Sequence, residues 1–190
     1  MSILFIHQNF PGQFKHLAPA LVAQGYEVHA TILLNSTEAS DKPFMWQGVR
    51  MLPYRLSRGS TNNIHPWVND IEAKVIRAEA FLRHGFELKK QGINPRVIVC
   101  HPGWGESLFA KQVWPEAKLL MYCEWYYSHI NQDYGFDPEF ESAELSGFAR
   151  LRLKNVNNDL HIEQADGALS PTHWQKNTYP KSFQSKICRL

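Results

Sequence analysis

Three short stretches of this sequence carry side chains that could do chemistry together. His101-Pro102-Gly103-Trp104-Gly105-Glu106 sets an imidazole and a carboxylate around two glycines, which let a backbone approach a ligand closely. Glu124-Trp125-Tyr126-Tyr127 joins a carboxylate to aromatic faces. Sugars offer C–H faces that stack on Trp and Tyr, and hydroxyls that bond to carboxylates and amides, so this stretch suits a saccharide wall. His7-Gln8-Asn9-Phe10-Pro11-Gly12-Gln13-Phe14 surrounds a glycine turn whose free backbone N–H groups suit an anion. Each stretch has a plainer alternative: a simple chain reversal at Pro11-Gly12, a His101 bonded within its own loop, and an ordinary aromatic cluster at 124–127.

Other chemistries fit less well. Ser107 is not flanked as Gly-x-Ser-x-Gly, so it is not read as a hydrolase nucleophile. Cys100, His101, Cys123, Glu124 and His129 could be gathered around a metal. No Cys-x-x-Cys or His-Glu-x-x-His spacing supports that, and no metal or cofactor is expected. A single glycine at the first turn falls short of Gly-x-Gly-x-x-Gly, and Leu34-Asn35 ends the second strand without an acidic residue. Both weaken an oxidoreductase reading.

The elements that must position these stretches alternate along the chain. Ile3–Ile6 is a short apolar run of the kind a strand buried on both faces shows. Phe14, Leu17, Ala18, Leu21 and Val22 follow at helical spacing, with Gly25 as the stop. Val28–Leu34 and Val49–Tyr54 read as strands, and Pro53 places the latter at an edge. Pro66-Trp67 opens the longest helix, with Ile71, Val75, Ala78, Leu82 and Phe86 as its core stripe and Gln91-Gly92 as its end. Pro95–Cys100 and Ala117–Cys123 are buried strands around a short helix from Ser107 to Val113. Glu139, Glu141 and Glu144 load the start of a further helix that ends at Gly167, and its later part carries Arg150, Arg152 and Lys154. Ala168–Ser170 is a strand, Pro171–Trp174 starts a helix, and Lys186–Leu190 opens a last strand.

This alternation predicts an α/β, Rossmann-like, doubly wound and mostly parallel sheet with helices on both faces. With strand order 3-2-1-4-5, the order reverses between the first and fourth strands, where ligands bind in such sheets. The loops at His7–Gly12 and His101–Glu106 then face each other there, with Glu124–His129 beside them.

A length of 190 residues suits one sizeable domain, and 44% hydrophobic with 13% aromatic content suits a packed protein. A net charge of +2 excludes a nucleic-acid binder working by charge density. Three widely spaced cysteines make no disulfide framework. No signal peptide or membrane-spanning run is read, so the expected location is cytoplasmic; peripheral membrane contact is not indicated.

His7–Phe14, followed by His16-Leu17-Ala18-Pro19-Ala20-Leu21 and Gly25-Tyr26-Glu27-Val28, resembles the amino-terminal domain of family 4 glycosyltransferases. These are retaining enzymes of the GT-B fold. Gly12-Gln13 stands where many members have two glycines, and Tyr26 where many have histidine. The His101–Glu106 loop is similar to one in a branch of that family in which a histidine faces the donor sugar. The resemblance implies His101 as the catalytic residue, with Pro11, Gly12, Gln13, Gly103 and Gly105 as the donor or phosphate loop. Acceptor binding then falls to His7, Asn9, Trp104, Glu106, Glu124, Trp125 and Tyr126. It also implies a nucleotide-sugar donor, a sugar acceptor, and a carboxy-terminal donor-binding domain as partner. Residues 1–185 would be the acceptor-side domain and 186–190 the start of a final strand or linker. The alternative is a nucleotide- or sugar-binding module without catalysis.

Overall fold

The computed structural model of the protein describes residues 1–36, 38–129, 132, 134, 137, 139 and 145–189. Glu141 and Glu144, expected at the start of a helix, lie outside the described residues. The strands are β1 (Ser2–Ile6), β2 (Glu27–Leu33), β3 (Phe44–Trp46), β4 (Val49–Tyr54), β5 (Val97–Cys100), β6 (Lys118–Tyr122), β7 (Gly167–Ser170) and β8 (Ile187–Arg189). They form one sheet in the order β3-β4-β2-β1-β5-β6-β7-β8. Every pairing is parallel except the β3–β4 hairpin. Helices α1 (Leu17–Ala23), α2 (Asn69–Lys90), α3 (Ala110–Val113), α4 (Leu145–Gln164), α5 (His173–Thr178) and α6 (Lys181–Gln184) make the connections.

Strand β1 shows why the sheet is central. Its side chains alternate between faces: Ile3 and Phe5 join Phe14, Ala18 and Val28 in one apolar cluster. Leu4 and Ile6 join Phe81, Ile98, Val113 and Ile162 in the other. A strand with both faces covered reads as an unbroken apolar run, which is why it was legible. The sheet is the expected doubly wound one, and the order reverses between β1 and β5.

Three expectations need correction. β4 is not an edge strand, because the unforeseen β3 pairs with it. Pro53 is tolerated because the hairpin register stops at Phe44↔Met51, short of it. Tyr54 O accepts from Leu34 N–H at 2.9 Å, so the alternating backbone of Pro53 faces the uncovered side. The α2 stripe is also misplaced: Val75 and Phe86 are exposed, and the buried face runs through Lys74, Ala78, Phe81, Gly85 and Leu88. Gly85 decides this, since a Cβ there would lie 3.1 Å from Val113 Cγ2, so α2 and α3 close on this side. Finally, α1 does not start at the glycine turn. A 3-10 turn at Gly12–Phe14 intervenes, and its Phe14 N–H is bonded to Pro11 O at 2.8 Å. The helix end is therefore set back from the turn.

Candidate functional site

Three strand ends converge on one carboxylate. Gly103 N–H donates to His101 Nδ1 at 3.2 Å, so in the neutral ring the proton sits on Nε2, which meets Glu124 Oε2 at 2.9 Å. Gln13 Nε2 approaches both Glu124 oxygens at 3.4 and 3.5 Å. The loops after β1, β5 and β6 thus meet where strand order reverses. His101, mainly through its hydrogen bond, holds the Glu124 carboxyl below its ordinary value. The side chain of Glu124 is 41% exposed and that of His101 10%. Glu124 is therefore the ligand-facing member of the pair, while both ring nitrogens of His101 are already partnered.

His7 backs this pair. Asn9 N–H donates to its Nδ1 at 3.0 Å, and its ring lies edge-on to His101 with centroids 5.4 Å apart. Burial first, then the neighbouring His101, lower its pKa to about 4, so His7 is a neutral imidazole. Phe14 and Tyr122 complete the packing around the two histidines.

The glycines serve this packing. A Cβ on Gly12, whose φ is +43°, would lie 2.6 Å from His7 Cε1. On Gly103 it would lie 2.8 Å from His101 Cε1, and on Gly105, whose φ is +97°, 2.7 Å from the Lys74 carbonyl. The missing side chains thus admit protein atoms: two imidazoles and the backbone of α2. Packing within the protein thus already requires glycine at all three positions.

A small hollow of about 70 Å³ opens beside Glu124, lined by Lys74, His101, Gly103, Trp125, Lys154 and Asn157 among others. At about 10–15 Å³ of such space per water, it takes about five waters or an exocyclic sugar group, so a whole ring would rest at its mouth. Gly12 does not line it. Trp125 stands at the rim against Trp174, with centroids 4.7 Å apart, and Lys154 Nζ lies 4.7 Å over the Tyr127 ring. Trp104 and Asn9 are exposed beside the site.

Two expected acceptor residues lie elsewhere. Glu106 is 1% exposed, accepts from Tyr54 O–H at 3.2 Å, and is raised in pKa by burial. It turns inward because Gly105 folds the loop down onto α2. Tyr126 is also buried, donating to Asp159 Oδ1 at 2.8 Å. Among the described residues no group of three or more His, Cys, Asp or Glu side chains could hold a metal ion.

Helix α4 supplies residues that the sequence reading missed. Asn155 accepts from Tyr127 N–H at 2.9 Å and donates to Tyr127 O at 2.7 Å. Asn158 donates to Trp125 O at 3.0 Å and Asn157 to Pro102 O at 2.6 Å. His161 Nδ1–H donates to Asn157 O at 2.7 Å, leaving Nε2 to accept from Ser107 at 2.8 Å. All four side chains are buried, so one helix face holds both loops of the site. The available signal was polar residues at 155, 157, 158 and 161 of an amphipathic helix, where the core face should be apolar.

A wider hollow, about 780 Å³, lies at the opposite edge of the sheet, where β5 and β6 begin, lined by Arg96, Val97 and Lys118 among others. Parallel sheets bind ligands at the other edge, and neither of the proposed saccharide stretches at 101–106 and 124–127 reaches this one.

A sequence model of the glycosyl transferase family 4 group matches residues 27–190. The match begins after the His7–Phe14 loop. No curated protein matches the chain. Among solved structures, a sucrose-phosphate synthase structure from Thermosynechococcus elongatus aligns with all of this chain and 86% of its own, at 18% identity and TM-score 0.59. A longer structure of that synthase aligns over 47% of its length, at 16% identity and TM-score 0.57. The catalytic domain of starch synthase IV from Arabidopsis thaliana, bound to ADP and acarbose, aligns over 50% of its length, at 11% identity and TM-score 0.57. This chain thus spans about half of those two longer structures. The family match covers most of the sequence and these folds align with the whole chain: the chain belongs to the glycosyl transferase family 4 group and has the Rossmann-like fold of a GT-B glycosyltransferase domain.

Proposed function

We propose that this domain is the acceptor side of a retaining glycosyltransferase, with the nucleotide-sugar donor bound mainly by a second, carboxy-terminal domain. The carrying observation is the meeting of three strand-end loops at the half-exposed Glu124, fixed by His101 at 2.9 Å. An ionised carboxylate accepts hydrogen bonds strongly, so Glu124 takes a sugar hydroxyl while His101 holds it in place. Trp125 offers a face for the ring.

In the transfer, the bond from the sugar's anomeric carbon to the donor phosphate breaks. The acceptor oxygen bonds to that carbon from the same face, and its proton leaves with the departing phosphate oxygen. Positive groups and oriented N–H groups stabilise the diphosphate as charge develops. The residues of this domain bind and orient the acceptor, and orientation is worth several kcal/mol in favourable cases.

The test has two arms. The 190-residue chain alone is expected to show no transfer from nucleotide sugars; robust turnover would overturn the half-enzyme reading. In a protein carrying both domains, Glu124→Gln and His101→Ala should each lower kcat/KM about ten-fold or more, as loss of an oriented bond of about 1.4 kcal/mol requires. The loss should appear for Glu124→Gln with unchanged thermal stability. Wild-type transfer by both variants would remove these residues from the site.

A further inference from the structure

Next to the site, the first turns of α2 and the first half of α4 enclose a second hollow of about 420 Å³. This size falls in the roughly 300–1,000 Å³ range of small-molecule sites. Ile71 and Leu153 give it apolar surface, the exposed ring of Trp67 forms one side, and Arg150 and Lys154 form the other. The two hollows adjoin, and we treat them together as one groove. Lys154 lines both, and Asp70 of the outer hollow is ion-paired at 2.7 Å to Lys74 of the inner one.

The ends of this groove differ in chemistry. At the inner end, Asn157 is 7% exposed and donates to Pro102 O at 2.6 Å, while its Oδ1 has no hydrogen-bond partner. A buried acceptor left unpaired is costly, and a ligand hydroxyl would satisfy it. Glu124 also calls for donors there and repels an anion. At the outer end Asp70 is matched by Lys74, and among the described residues no carboxylate forms an ion pair with Arg150 or Lys154. Arginine and lysine beside an aromatic face suit a sugar that carries an acidic group.

We infer that the groove takes an acceptor of at least two sugar units, bearing a carboxylate or phosphate on the unit that lies over Trp67. The inner unit donates hydroxyls to Asn157 Oδ1 and Glu124; the acidic group of the outer unit meets Arg150 and Lys154. This deepens the acceptor-side reading and rests on it. Charge at one end and hydroxyl recognition at the other fix which way round the acceptor lies.

The test is calorimetric titration of the chain with three probes: maltotetraose, maltotetraose carrying a terminal phosphate, and maltotetraose oxidised to a carboxylate on the same terminal unit. At low salt, an acidic probe should bind at least ten-fold tighter than the neutral one, and whichever acidic probe wins identifies phosphate or carboxylate. Arg150→Gln with Lys154→Gln should bring its affinity to the neutral level and remove its salt dependence, while Trp67→Ala should weaken all probes. Equal binding of the three, sensitive to Glu124→Gln, would overturn the charge inference and leave the acceptor-side reading intact. Preference for an acidic probe that survives the double substitution would overturn the groove. Binding of none of them, with the fold intact by circular dichroism, would overturn both.

Discussion

The histidines set the pH response of the molecule at the level of single residues. Burial holds His161 at about 4 and His7 at about 4, against an ordinary value near 6.5. Between these values the unfolded chain binds protons that the folded one refuses, so stability is full above about pH 6.5 and is lost as pH falls towards 4. Each histidine contributes a slope of about 1.4 kcal/mol per pH unit in that window. Glu106 works in the opposite direction, because its raised pKa makes the folded state take up a proton first. Comparison with a variant isolates one group. His161→Gln should make the loss of unfolding free energy between pH 7 and pH 5 smaller by about 2 kcal/mol, measured by urea denaturation. An unchanged difference would mean that His161 is not held neutral.

At the scale of elements, α4 is the clamp that makes two loops into one site. Asn155→Ala removes both bonds to the Tyr127 backbone and should cost about 2 kcal/mol, within the range for buried hydrogen-bonded groups. Hydrogen exchange should quicken in residues 122–129 and stay unchanged in β1; equal quickening in both would show a general loss of stability instead. The elements differ in how legible they were. β1, β5 and β6 after Lys118 stand out because strands covered on both faces are apolar runs, and β2 because Val28, Thr31 and Ile32 make it rich in β-branched residues. β3 was missed because Phe44–Trp46 is three residues long and largely exposed. The α2 face was misread because its core side uses Lys74 and Gly85, whose aliphatic stem or small size packs well without looking apolar. The α4 asparagines were passed over because their partners are carbonyls and amides of distant loops, which no local pattern encodes. Glu106 looked like a cleft residue because adjacency to His101 in sequence does not reveal that Gly105 turns the chain inward.

At the scale of the whole molecule, the parallel sheet fixes where chemistry belongs. Among the described residues no helix is long and apolar enough to cross a membrane. Two features disagree about location: a wide hollow is at the starting edge of β5 and β6, whereas the converging polar loops are at the finishing edge. Only the second combines a carboxylate, two histidines, aromatic faces and a buried amide acceptor. The decisive measurement is therefore a titration of the isotopically labelled chain with an oligosaccharide, following backbone amide shifts by NMR. The shifted signals should map to residues 101–104, 124–127 and 154–158. Shifts confined to Asn94–Val97 and Trp114–Lys118, at the opposite edge, would contradict it.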